Sequence, residues 1–206
     1  MATLGGSPPF DRGQTFFNGG TVDANAGVEY EGQEYWFPDK NYASSDPIKP
    51  LRSHAMVKCR IVRNGGDVTL RPKRLCAFNT STAAKYVGQA LGYSAVSAQH
   101  AYPVDEFLPA AGVAQNDLFY VVVEGPATCL MPLSSLASDV SVGDALWAIT
   151  AVTTGATTAG RVSNIVTAAT SGVTLGRDVV NMVGRALTAR TTGETDANIL
   201  VNVGKW

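Results

Sequence analysis

Between residues 117 and 203, five short apolar runs stand apart: DLFYVVVEG, ATCLMPL, DALWAIT, GRVSNIVT and ANILVNV. Gly, Asn, Thr and Ser clusters separate them. Runs this short suit strands better than helices, and their β-branched and aromatic residues fit a pleated, half-buried surface. Many short strands broken by such turns predict an all-β fold, a small β-barrel or sandwich. Charged residues make up 16% of the chain, below the roughly 25% of an average globular domain. That leaves little material for charged amphipathic helices. A length of 206 residues is enough to bury one sizeable core.

Three stretches share the pattern Val-Gly-x-Ala-Leu: VGQALGYSA from residue 87, VGDALWAIT from 142 and VGRALTART from 183. A phosphate cradle needs GxGxxG after a strand, or GxxxxGK[ST], so that several backbone N–H groups converge on the anion. Neither occurs here. A lone glycine between apolar residues serves a bend, a bulge or the close approach of another backbone. The bend is therefore the expected role.

The front of the chain is different. Residues 1–48 carry repeated Gly, Pro and Asn punctuation, with aromatics at Phe16, Phe17, Tyr30, Tyr35, Trp36 and Phe37. With no sustained period, such a segment builds no core of its own, yet it is too aromatic for a solvated tail. It reads as an extended N-terminal arm that docks on its own barrel or on a neighbouring molecule. The domain expected at 49–206 begins with a segment of opposite charge. Residues 1–48 carry seven acids and two bases, whereas residues 49–85 carry nine bases and one acid. Opposite blocks side by side predict mutual attraction, within a subunit or between subunits.

Residues 56–78 read as a basic hairpin turning at Gly65-Gly66. In that register Ile61 faces Leu70 and Cys59 faces Pro72, while Arg60 faces Arg71 and Lys58 faces Lys73. Like charges directly opposite cost about 0.2–1 kcal/mol per pair, so this face calls for an anionic neighbour. An acidic protein surface fits better than nucleic acid, because the chain is slightly acidic overall and no aromatics interleave the bases for stacking. The expected partner-binding residues are Phe16, Phe17, Tyr35, Trp36, Phe37, Lys58, Arg60, Arg71 and Lys73. One short helix is possible within 79–101, with Ala83, Ala84, Val87 and Leu91 on one face and Thr80 or Ser81 as its cap.

Chemistry-bearing groups are sparse. Cys59, Cys76 and Cys129 form no CxxC pair, and His54 and His100 stand far apart, so no metal, cofactor or redox site is expected. Asp105 and Glu106 are adjacent and on a strand would face opposite sides, which excludes a paired-carboxylate site. GxSxG, SxxK and HExxH are absent, so the reading is not an enzyme. No secretory leader or apolar run of membrane-spanning length appears.

Residues 117–206 resemble a family of tailed-phage head decoration, or capsid cement, proteins. Gly143-Asp144-Ala145-Leu146-Trp147, Gly160-Arg161-Val162, Gly184-Arg185-Ala186-Leu187 and Ile199-Leu200-Val201-Asn202-Val203 stand in the order of that family's motifs. Ala145 and Thr188-Ala189 depart from its pattern, and residues 1–85 have no counterpart in it. The resemblance implies a β-barrel without catalysis, attached to the major capsid protein on the virion surface after synthesis in the host cytoplasm. It further implies contact with neighbouring copies, such as a trimer, and no nucleic acid or membrane partner. The exposed aromatics leave an alternative, a carbohydrate- or receptor-binding module of a tail or fibre.

Overall fold

The computed structural model describes residues 7–18, 23–65, 70–78, 87–90, 101–131, 139–148, 161–164, 182–190 and 198–204. About half of these residues lie in strands and almost none in helix: β1 (Glu34–Lys40), β2 (Leu51–Asn64), β3 (Leu75–Phe78), β4 (Val87–Ala90) and β5 (Tyr102–Pro103) come first. Then follow β6 (Leu118–Leu130), β7 (Ala145–Ala148), β8 (Val162–Ser163), β9 (Met182–Ala186) and β10 (Asn198–Val203). Their order is β5-β3-β4-β2-β6-β10-β9-β7-β8, with β1 added beside β2. The expected all-β class is present, but the described strands do not close into a barrel. Among the described residues the only helical element is a 3-10 turn at Val28–Tyr30. Val87–Ala90, expected in a helix, form β4, and the rest of that helix lies outside the described residues.

Two long strands organise the fold. In β2, Val57, Cys59 and Ile61 are buried against Phe37, Leu118, Tyr120 and Val122, while Val62 faces the opposite way. Val62 packs with Phe119, Val121, Leu70, Cys76, Val104, Leu108 and Val113 in a second cluster. Because consecutive strand residues point to opposite faces, the Ile61–Asn64 end of β2 and the Leu118–Val122 half of β6 are covered on both sides, and the continuous apolar run of β6 follows from that. All three cysteines are free and buried, as small apolar residues. Burial pushes the Cys59 thiol up to about 12, so it stays protonated and unreactive at neutral pH.

β6 serves two partners in turn. From Leu118 to Glu124 it pairs with β2, and from Gly125 to Leu130 it pairs with β10. The two apolar runs at 117–125 and 127–133, separate by sequence, are largely one bent strand. The repeated glycine motif divides as well. Gly184 lies within β9, where a Cβ would stand 2.0 Å from the Asn202 carbonyl oxygen, so glycine allows β9 and β10 to approach. Gly143 instead turns the chain at a φ of +95° just before β7.

The basic hairpin does not form. Cys59 stands between Tyr35 and Val122, and Ile61 lies opposite Tyr120. Pro72 and Lys73 sit in a turn, with Lys73 at a φ of +64°, and β3 pairs with β4 and β5. Two flanking strands, β1 and β6, offer β2 full ladders and apolar cover. Pro72, with no N–H to donate, could not match them.

Candidate functional site

The arm is largely consumed by its own molecule. Phe10 stacks on Tyr120 with ring centroids 4.3 Å apart, Phe16 meets Tyr30 at 5.0 Å, and Phe16 and Phe17 meet edge to face at 4.7 Å. The Tyr120 hydroxyl donates to the Phe10 carbonyl at 3.0 Å, and the Phe16 N–H donates to the Leu118 carbonyl at 3.0 Å. Phe37 retains 3% of its exposure, 5.1 Å from the Tyr120 ring. Of the residues expected as anchors for a partner, Phe37 is buried in this chain's core, and Phe16 and Phe17 are partly buried against it. An apolar segment without a core of its own gains most by completing the nearest one, and here that core is in the same molecule.

Behind these aromatics lies an ionic cluster absent from the sequence reading. The Arg12 side chain is fully buried and donates through Nε and Nη2 to Asp105 Oδ1 at 3.2 and 2.9 Å. Its Nη2 also lies 3.8 Å from Glu106 Oε1. Arg52 holds Glu106 with both terminal nitrogens, at 2.8 and 2.9 Å, and reaches Asp39 Oδ1 through Nε at 2.9 Å. The Gly13 N–H donates to Asp105, Ser53 donates to Asp39, and Thr128 donates to Glu106. The Phe107 ring lies within 4.9 Å of the Arg12 guanidinium carbon and 5.0 Å of that of Arg52. Burial opposes the Arg12 charge most strongly of any one cause, but its neighbours together, Asp105 foremost and Glu106 with it, outweigh burial, and the pKa stands above its ordinary value.

This corrects the expectation for Asp105 and Glu106. They leave β5 through a bridge and a turn, not along a continuing strand, so both carboxylates converge on Arg12. Each already accepts hydrogen bonds from the chain's own groups, which fits a structural lock.

One face of the β1–β2 ribbon is outward. The cross-strand pairs Glu34 with Arg60, Trp36 with Lys58, and Pro38 with Met56 set these side chains in rows. Trp36 is 50% exposed and Met56 46%. Glu34 accepts from Lys58 Nζ at 2.6 Å and from Arg60 Nε at 2.9 Å. Burial pushes the Glu34 carboxyl up, but the hydrogen bonds and charges of Lys58 and Arg60 outweigh it and hold it below its usual range. Lys58 Nζ lies 5.8 Å from the Trp36 ring centre, and the Arg60 guanidinium covers Phe78 and Tyr102 at 5.9 and 5.8 Å. An apolar centre is thus held on a charged frame fixed within the molecule.

The predicted site residues are partly reunited. Tyr35, Trp36, Lys58 and Arg60 share the ribbon, with Tyr35 half-buried and its hydroxyl donating to Gln33. Arg71 and Lys73 lie elsewhere, in the turn where the Lys73 N–H donates to the Val104 carbonyl at 3.3 Å. The opposite charge blocks do meet. Glu31 takes Arg63, Glu34 takes Lys58 and Arg60, and Asp39 takes Arg52. Met56, beside Trp36, was missed because the hairpin register gave it no role. Among the described residues no group of three or more His, Cys, Asp or Glu side chains is placed to hold a metal ion. Comparison with protein families, with curated proteins and with solved structures finds no match.

Proposed function

We infer that the chain is a structural virion protein, a decoration or cement protein that attaches to the outside of an assembled phage capsid and stabilises it. The partner is the major capsid protein, with neighbouring copies of the chain alongside. The observation that carries this reading is the outward Trp36 and Met56 face on its ion-paired frame. A large aromatic next to a flexible thioether, set on a rigid sheet and ringed by charge, has the composition of a protein-binding centre with a polar rim. The resemblance of residues 117–206 to decoration proteins supplies the class of partner. Binding only the assembled shell stabilises it by mass action and needs no chemistry.

The test is co-sedimentation with purified capsids of the same virus, with copy number read from the bound fraction. Cement occupies hundreds of sites per particle, and a tail-associated module occupies few. Trp36→Ser with Met56→Ser is expected to weaken attachment by tenfold or more, about 1.4 kcal/mol, while leaving the fold intact. Unchanged attachment, or binding on a glycan array in place of capsids, overturns the assignment.

A further inference from the structure

Three cysteines and four methionines carry the sulfur of this chain, and of these Met1 lies outside the described residues. Cys59, Cys76, Cys129 and Met131 are completely shielded from water. Burial raises the pKa of the Cys59 and Cys129 thiols, so neither offers a thiolate at neutral pH. Met182, on β9, is partly buried. Met56 differs from all of these, with 46% of its surface open.

The strand beneath it sets this exposure. Val57, the next residue, is fully buried in the core, so Met56 on the same β1–β2 ladder points outward. It stands opposite Pro38 and diagonal to Trp36 on that face. Its backbone is hemmed in from behind by Gly125, where a Cβ would stand 2.5 Å from the Met56 carbonyl oxygen. The thioether is therefore presented to solvent on the same face as the exposed indole.

We propose that Met56 is a modification site, where hydrogen peroxide converts the thioether to a sulfoxide and thereby weakens attachment to the capsid. In that step the sulfur lone pair attacks one oxygen of the peroxide, the O–O bond breaks and an S–O bond forms. The sulfur loses two electrons, and the departing oxygen takes the proton of the transferred one and leaves as water. The product is polar and chiral where the thioether was apolar, and sulfoxide reductases reverse the change. A sulfoxide oxygen drawn into a dry contact without a donor costs free energy that a thioether does not. The core is spared, because Met131 and the three cysteines are shielded. The inference rests on the reading of the Trp36 and Met56 face as the capsid contact.

The experiment treats the purified full chain with hydrogen peroxide, removes the excess with catalase, and only then adds capsids. Peptide mass mapping should place an added oxygen on Met56 well before Met182 or Met131 takes one, with the thermal melt unchanged. Affinity in co-sedimentation should then fall severalfold, and methionine sulfoxide reductases acting on both epimers should restore it. Met56→Leu, whatever its own affinity, should attach equally before and after peroxide, which ties the loss to this sulfur. Oxidation spread evenly over Met56, Met131 and Met182, a lowered melt, or undiminished attachment of the Met56 sulfoxide overturns the proposal. In the last case Trp36→Ser separates two failures. If it weakens attachment, the capsid face stands and only the role of Met56 is lost; if it has no effect, the face itself was misassigned.

Discussion

Two ionic clusters tie the front of this chain to the rest, and they differ in almost every physical respect. The inner one joins Arg12, Asp105, Glu106, Arg52 and Asp39, with the Arg12 and Asp105 side chains fully shielded from water. The outer one joins Glu34, Lys58 and Arg60, whose side chains keep between 23% and 29% of their exposure. Removing one partner from a shielded group leaves a charge that water cannot reach, whereas the outer pairs are screened. The same arithmetic of signs therefore yields a lock in one place and a frame in the other.

The severest way to break the comparison is to delete residues 1–40. That removes Arg12, Phe37 and the whole of β1, so circular dichroism should show no cooperative melt. A folded truncation would mean that the inner cluster is dispensable. Next comes Asp105→Asn, which preserves shape and removes the charge opposing Arg12. It should cost about 3–5 kcal/mol in a denaturant titration, and the double change Arg12→Met with Asp105→Leu should cost clearly less than the single one. Equal losses would show that charge isolation is not the cause. Gly184→Ala tests the sheet apart from either cluster. Its Cβ meets the Asn202 carbonyl, and a loss of about 1–3 kcal/mol is expected from the forced backbone shift.

The smallest effect belongs to the outer cluster. Glu34→Gln should lower stability by about 1 kcal/mol or less, with the difference shrinking as salt is added. Since the Glu34 pKa is lowered on folding from its reference of 4.5, its contribution is present at neutral pH. It fades as pH falls through 4.5 and below. Wild type and Glu34→Gln should therefore converge in acid, and a gap that widens there contradicts the assignment.

Some of this could be read in the sequence, for reasons that particular residues make clear. Leu118–Val123 and Ile199–Val203 are strongly β-branched or aromatic, and their local pattern decides strand over helix. Opposite charge in residues 1–48 and 49–85 likewise foretold that the two segments would attract, but not that Glu34 would be the residue to meet Lys58 and Arg60. Pairing partners were another matter. Asn64-Gly65-Gly66 favours a local hairpin, but β2 took β1 and β6, because period alone does not say which strand lies alongside. Arg12 and Asp105 are 93 positions apart, and nothing in DRG or VDEF marks either as half of a pair. Gly125-Pro126 looked like a turn and is a bend, so one strand was read as two.

That bend has a temporal consequence. β6 sits at the middle of the molecule, yet its far half finds a ladder only when Asn198–Val203 arrive, long after Leu118–Glu124 could have met β2. Distant pairings are slow to form, and a half-clad strand is sticky while it waits. A newly made chain thus passes through a vulnerable interval whose length is set by how quickly its tail comes home.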